Sequence, residues 1–426
     1  MLVAGLTLGG CATLPPWRAV SPGLGTSVEV SPRGKRACVA VDRRRDGCFD
    51  GVSIHAIAFS STGGHTAYPV RAGDRWSIVR DGVRGREWSG VGAPVLNADG
   101  SRLAYPALDG VAWHLVVDER AGPPVDAVME GSIVFDPTGR RLAYAARLGD
   151  SVHVLLDDTV SRGWDGVAGL AFSGDGSHVA YIARVAPRMM LVLDGKEEQS
   201  HSRIGEFALS PDGSRWAYSM NDGRNWYSVE NGVRVGPFAS IRALAYSART
   251  LSFVGRRDSV EALFVNGAQR GGWYEAVERP VFDTTGGTWG FIATDRDSSN
   301  VYLGDSLVAR EARAADLAIG ANGRRYAYVA SRGGAQTIVD DRGRHDLDMV
   351  IEGTLQFIES GSRWVCLAGD RQRRQLFVVV DGAATTERLD WTEMVRMVQQ
   401  PDAAGALRNW VSAAGSRALR ARERPR

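Results

Sequence analysis

The chain holds 426 residues, 44% hydrophobic and 23% charged, a globular balance that argues against disorder over its bulk. Its 51 basic and 49 acidic residues nearly cancel, so no strong field toward nucleic acid follows. No apolar run reaches the roughly 18 residues needed to cross a bilayer. Only Lys35 and Lys196 are lysines; the arginine excess reads as codon bias, not as phosphate binding.

The chain opens on a short apolar stretch that ends in small residues before a cysteine, Leu8-Gly9-Gly10-Cys11. These four residues resemble the lipobox of bacterial lipoproteins. The resemblance implies a signal peptide over 1–10 and a diacylated Cys11. Two features depart from the family pattern: no basic segment precedes the apolar stretch, and the stretch is short. The alternative is an unlipidated leader. Residues 11–26, with Pro15, Pro16, Pro22, Gly23 and Gly25, read as a tether.

Cys38 and Cys48 flank Asp42-Arg43-Arg44, and a hairpin centred there would set them opposite one another. In an oxidising compartment they would form a disulfide; the alternative is two reduced, partly buried thiols. No Cys-x-x-Cys pair occurs, so neither a thiolate metal site nor a redox motif is indicated.

From about residue 55 one motif recurs. Its clearest copy is Ser210-Pro211-Asp212-Gly213-Ser214-Arg215-Trp216-Ala217-Tyr218, and its aromatic slot falls at Tyr68, Tyr105, Tyr144, Tyr181, Tyr218, Phe253, Phe291 and Tyr328, with Cys366 in the ninth copy. Successive slots lie 35 to 39 residues apart. Each copy has an apolar strand, an Asp-Gly turn, an alternating strand, a β-branched strand, a second turn such as Asp194-Gly195 or Asn231-Gly232, and a fourth strand. Four short strands per repeat is the signature of a propeller blade, whose sheet must stack on its neighbours to bury both faces. The Ser-Pro-Asp-Gly-x-x-x-Ala-Tyr core resembles the TolB-type, WD40-like repeat family. The expected fold is therefore all-β: a single β-propeller over 27–392, with nine repeats read and eight to ten blades accommodated. Residues 27–52 read as a degenerate first unit whose third strand is nearly missing, with Ser31-Pro32-Arg33-Gly34 as its first turn.

Residues 393–426 read as a basic helical tail. Ala403, Leu407, Trp410, Val411, Ala414 and Ala418 fall on one side of a helix capped by Asp402, and packing on the propeller is expected.

Apparent catalytic signatures dissolve into the repeat. Gly304-Asp305-Ser306-Leu307 spells the start of an esterase motif but occupies a hairpin turn. Thr285-Gly286-Gly287-Thr288-Trp289 approaches a sialidase box but aligns with the seventh repeat turn. His65 and His178 occupy the slot that Arg102, Arg141, Arg215, Arg325 and Arg363 fill elsewhere, which does not point to a metal. First strands such as Ala56-Ile57-Ala58-Phe59 are apolar and carry no cluster of acids, tyrosines and arginines. No catalytic residue, metal or cofactor is therefore expected.

Loops between the second and third strands are rich in arginine, with aspartates interleaved. Two of them differ most from the other copies, and Arg184, Arg188, Arg371, Arg373 and Arg374 within them are the candidate partner-binding residues. The expected function is a non-enzymatic interaction scaffold. It would be lipid-anchored in the envelope of a Gram-negative-type bacterium, at the outer membrane facing periplasm or exterior, with envelope proteins as partners and no nucleic acid. The competing expectation is a small-ligand or glycan-binding or hydrolysing propeller with its site in the central funnel.

Overall fold

The computed structural model describes residues 17–21, 26–157, 159–283, 285–370, 372–373, 375–391, 394 and 403–423. The chain divides into two compact units at the Ser200–His201 bond. Among the described residues, ten antiparallel sheets follow one another, five in each unit, every one a meander of four strands in chain order. In five sheets the first strand is broken into two short pieces on the same neighbour. This is an all-β fold of propeller blades.

The repeat signature explains each blade. Every aromatic-slot residue lies on a second strand opposite a third-strand residue: Tyr105 faces Val116, Tyr144 Leu155, Tyr181 Val192, Tyr218 Val229, and Cys366 Val379. Tyr105, Phe253 and Cys366 are wholly buried, because both faces of each second strand are covered. The Asp-Gly turn between first and second strands needs its glycine twice over. At Gly139 the backbone has φ +72°, and a Cβ would stand 2.3 Å from the Asn97 amide nitrogen of the preceding blade.

The second turn uses its aspartate in a left-handed conformation, as at Asp118 (φ +47°) and Asp157 (φ +49°). The freed carboxylate then accepts the first amide of the second strand, from Leu103 and Leu142 respectively. Its other oxygen takes the arginine of the motif: Arg102 lies 2.9 Å from Asp118, and Arg141 3.3 Å from Asp157. The same guanidinium reaches forward to the next blade's turn, Arg102 donating to the carbonyls of Gly139 and Arg140. His65 and His178 sit on Asp81 and Asp194 in the same way. The charged signature residues thus join blade to blade.

The first sheet differs from expectation. It is a full four-stranded blade of Trp17–Val20, Ser27–Arg33, Arg36–Val41 and Arg44–Phe49. The expected tether therefore contains a strand, held because Trp17 packs with Val28, Val30 and Val39. Ser31 and Pro32 belong to the second strand, one hairpin later than the motif suggested, and the third strand is present. Cys38 and Cys48 are direct cross-strand partners and are joined by a disulfide. Closing so short a loop contributes roughly 3 kcal/mol or less in a chain-entropy account. Alkylation without reductant should leave both cysteines unmodified by intact mass, and two added groups there would contradict the bond.

The long C-terminal helix, α1 (Ala403–Glu423), lies on the tenth sheet. Leu407, Val411, Ala414 and Ala418 are buried beneath it, as its amphipathic pattern predicts, and a Cβ on Gly415 would meet Val365. Trp391, just past the last strand Ala383–Leu389, is 49% exposed.

Candidate functional site

In the first unit the hairpins between second and third strands all lie at one end. Their tips are tied together by aspartates at the blade junctions. Asp50 accepts the amide of Gly73, Asp126 that of Gly149, and Asp165 that of Ala186. Arg75 continues the chain of contacts by donating to Ser89, whose own amide bonds Leu108 at the next tip.

Of the candidate partner-binding residues, Arg184 is next to last in the second strand of the fifth sheet, exposed to solvent. Arg188 opens the third strand and donates to the carbonyl and hydroxyl of Ser200. Arg373 lies in the second unit, in the tip of the tenth sheet, where its amide and guanidinium both turn to Asp370. Cys11, Arg371 and Arg374 lie outside the described residues. Ser306 begins a fourth strand opposite Leu303, and the neighbouring Asp305 pairs with Arg270 at 3.1 Å.

The second unit carries a grouping that was not legible in the sequence. Along the first strands of the eighth, ninth and tenth sheets stand Glu278, Asp316 and Glu352: Asp316 at a bulge within its strand, the two glutamates in the gaps between the short pieces of theirs, and close enough that Glu278 and Asp316 are perturbed. Asp316 sits in a left-handed conformation (φ +56°) and accepts the amides of Gly353 and Leu355, both at 3.0 Å. Arg313 stands 3.7 Å from Glu352, and Arg408 of α1 donates to the Gly353 carbonyl. Burial raises the Asp316 carboxyl above its ordinary range, although the two amides and Arg408 oppose the shift. Glu278 keeps contact with solvent, yet surrounding protein together with Asp316 and Glu352 pushes its carboxyl up to about 7, against the pull of Arg313.

A carboxyl raised in the folded state binds its proton more tightly there than when unfolded. Glu278 therefore favours the fold below about pH 4.5, and that contribution is lost as pH rises toward about 7. Glu278→Gln should flatten the fall in melting temperature across this window; an unchanged slope would show that another group carries it.

Glu278 and Asp316, two carboxyls with raised proton affinity, the second in a left-handed conformation, can move a proton, since perturbed carboxyls are the groups that enzymes use, while among the described residues no group of acids is arranged to hold a metal ion. Glu206 holds the same place in the first strand of the sixth sheet. The signal was the common offset of these acids, 12 to 14 residues before the slot residues Tyr218, Phe291, Tyr328 and Cys366.

No protein-family model and no curated protein matches the chain. Among solved structures it is similar to a eukaryotic initiation factor, 10% identical over 89% of each chain, TM-score 0.45. It is also similar to TolB from Acinetobacter baumannii, 14% identical over 59% of this chain and 78% of that one, TM-score 0.26. A third is the Swd1 β-propeller domain of Myceliophteria thermophila, 14% identical over 56% of this chain and 92% of that one, TM-score 0.28. These are likenesses of fold.

Proposed function

We propose that this chain is a non-enzymatic, lipid-anchored interaction scaffold of a bacterial cell envelope, held at the outer membrane through Cys11. One observation carries the reading. The charged residues that recur from blade to blade are spent on joining blades, as Arg102, Asp118, Arg141 and Asp157 are. Residues that vary between copies, such as Arg184 and Arg373, are left at exposed tips for partners. The Cys38–Cys48 disulfide suits an exported protein.

Two experiments test it. A fatty-acid analogue should label the wild type and not Cys11→Ser; equal labelling would end the anchor. Charge reversal at Arg184, Arg188 and Arg373 together should remove at least one partner from crosslinked native envelopes while leaving the melting temperature unchanged. Undiminished capture would contradict binding through these tips.

A second reading is favoured by Glu278, Asp316 and Glu352: a small ligand or glycan bound, or hydrolysed, beside these first-strand residues. Turnover on a glycosidase panel that Glu278→Gln abolishes would establish it.

A further inference from the structure

We propose that the tips of the first three blades form a second membrane contact, a face that rests on the anionic phospholipid headgroups of a bilayer. It deepens the lipid-anchor reading and rests on it for proximity, but its charges and shape stand independently.

The direction of the chain selects this face. Trp17 pairs with Val30 and Val20 with Ser27, while the second strand ends at the Arg33–Arg36 hairpin. The residues before Trp17 therefore join the first sheet from the hairpin end. Cys11 precedes Trp17 by six residues, a reach of about 20 Å at most. A lipid on Cys11 would hold these tips within about 20 Å of the headgroups, between two and three Debye lengths at physiological salt.

The same end carries the matching charge. Arg33, Lys35 and Arg36 crowd the first tip and are all exposed, with Asp50 3.8 Å from Arg36 as the nearest carboxylate. At the second tip Arg71 and Arg75 donate only to backbone carbonyls and a serine hydroxyl, with Asp74 between them in sequence. Five cations at the first two tips thus stand against three carboxylates over the three, Asp50, Asp74 and Asp109 of the third tip, which pairs with His114. Asp50, bonded to Gly73, fixes the two tips side by side. Beyond them the third tip, Asp109-Gly110-Val111, holds its valine 98% exposed. A protruding aliphatic residue beside a cluster of cations suits the boundary between headgroup and acyl chain, where charge attracts and apolar area inserts.

The test uses the full chain as Cys11→Ser, which carries no lipid whatever happens to the wild type. It is sedimented with vesicles of phosphatidylcholine, with or without about one-third phosphatidylglycerol, at low and high salt. Binding should need phosphatidylglycerol and fall with salt. Each cation near an anionic surface is worth about fivefold, so combined Arg33→Glu, Lys35→Glu and Arg36→Glu should weaken binding by at least about a hundredfold. Val111→Asp should weaken it less, and Arg140→Glu, in the turn at the opposite end, should leave it unchanged. Melting temperatures confirm that each variant folds. Absence of binding to anionic vesicles, or binding indifferent to the first tip, overturns the proposal. Loss of fatty-acid labelling on wild-type protein, with vesicle binding intact, removes the anchor and leaves this surface standing.

Discussion

Asp340→Ala should destabilise the second unit by about 3–5 kcal/mol, the cost of removing one member of a buried charge network. The Asp340 carboxylate is 2% exposed and sits between the ninth and tenth blades. It accepts the Trp364 indole N–H at 2.7 Å and the amides of Arg342 and Gly343, with Arg325 at 3.6 Å and His345 at 3.4 Å. Removal would leave the buried Trp364 indole without its acceptor and take away a carboxylate 3.6 Å from Arg325, whose guanidinium keeps Asp341 and the Ser362 carbonyl. Burial works against the charged carboxyl, yet Trp364, the two amides and His345 hold it below the ordinary carboxylate range. A group depressed in this way contributes stability above its unfolded value near pH 4, and the contribution is lost as pH falls through the folded value. The variant should therefore lose much of the acid sensitivity of the second unit as well as its denaturant midpoint. A loss below about 1 kcal/mol would mean that the cluster relaxes onto water.

Phe253→Ala should cost about as much, 3–5 kcal/mol, by a different mechanism. Phe253 is wholly buried, stacked on Phe264 at 5.0 Å and edge-on to Phe238 at 5.8 Å. The ring is hemmed in by blade-to-blade contacts that cannot collapse without unseating the sixth and seventh sheets. The cavity term should therefore add nearly in full to the lost transfer energy. Urea unfolding measures it, and a midpoint within error of wild type would show that the slot is not the keystone of its blade.

The slot was legible because it combines two local signals, a turn glycine and an alternating strand, repeated at constant spacing. The Cys38–Cys48 pairing and the buried side of α1 were legible for the same reason, since both follow from period alone. The first blade was misread because its slot position holds the exposed Glu29, and a Ser-Pro-x-Gly turn stands one hairpin late. Sequence could not reveal what the arginines do. Arg102 and Arg141 bind carbonyl oxygens of the next blade, and a carbonyl acceptor leaves no residue signature. The grouping of Glu278, Asp316 and Glu352 was hidden because its members come from three repeats, and Asp316 has apolar neighbours on either side in the chain.

These observations separate residues that hold blades together from residues exposed at the tips, where a partner can reach them. The most direct measurement is crosslinked capture from native envelopes with two variants beside the wild type. Charge reversal at the tips, Arg184, Arg188 and Arg373, should lose a partner while melting as the wild type does. Arg102→Ala, which breaks a junction between blades, should lower the melting temperature yet capture the same partners while folded. A tip variant with an unchanged set of partners, together with turnover that depends on Glu278, would contradict the account.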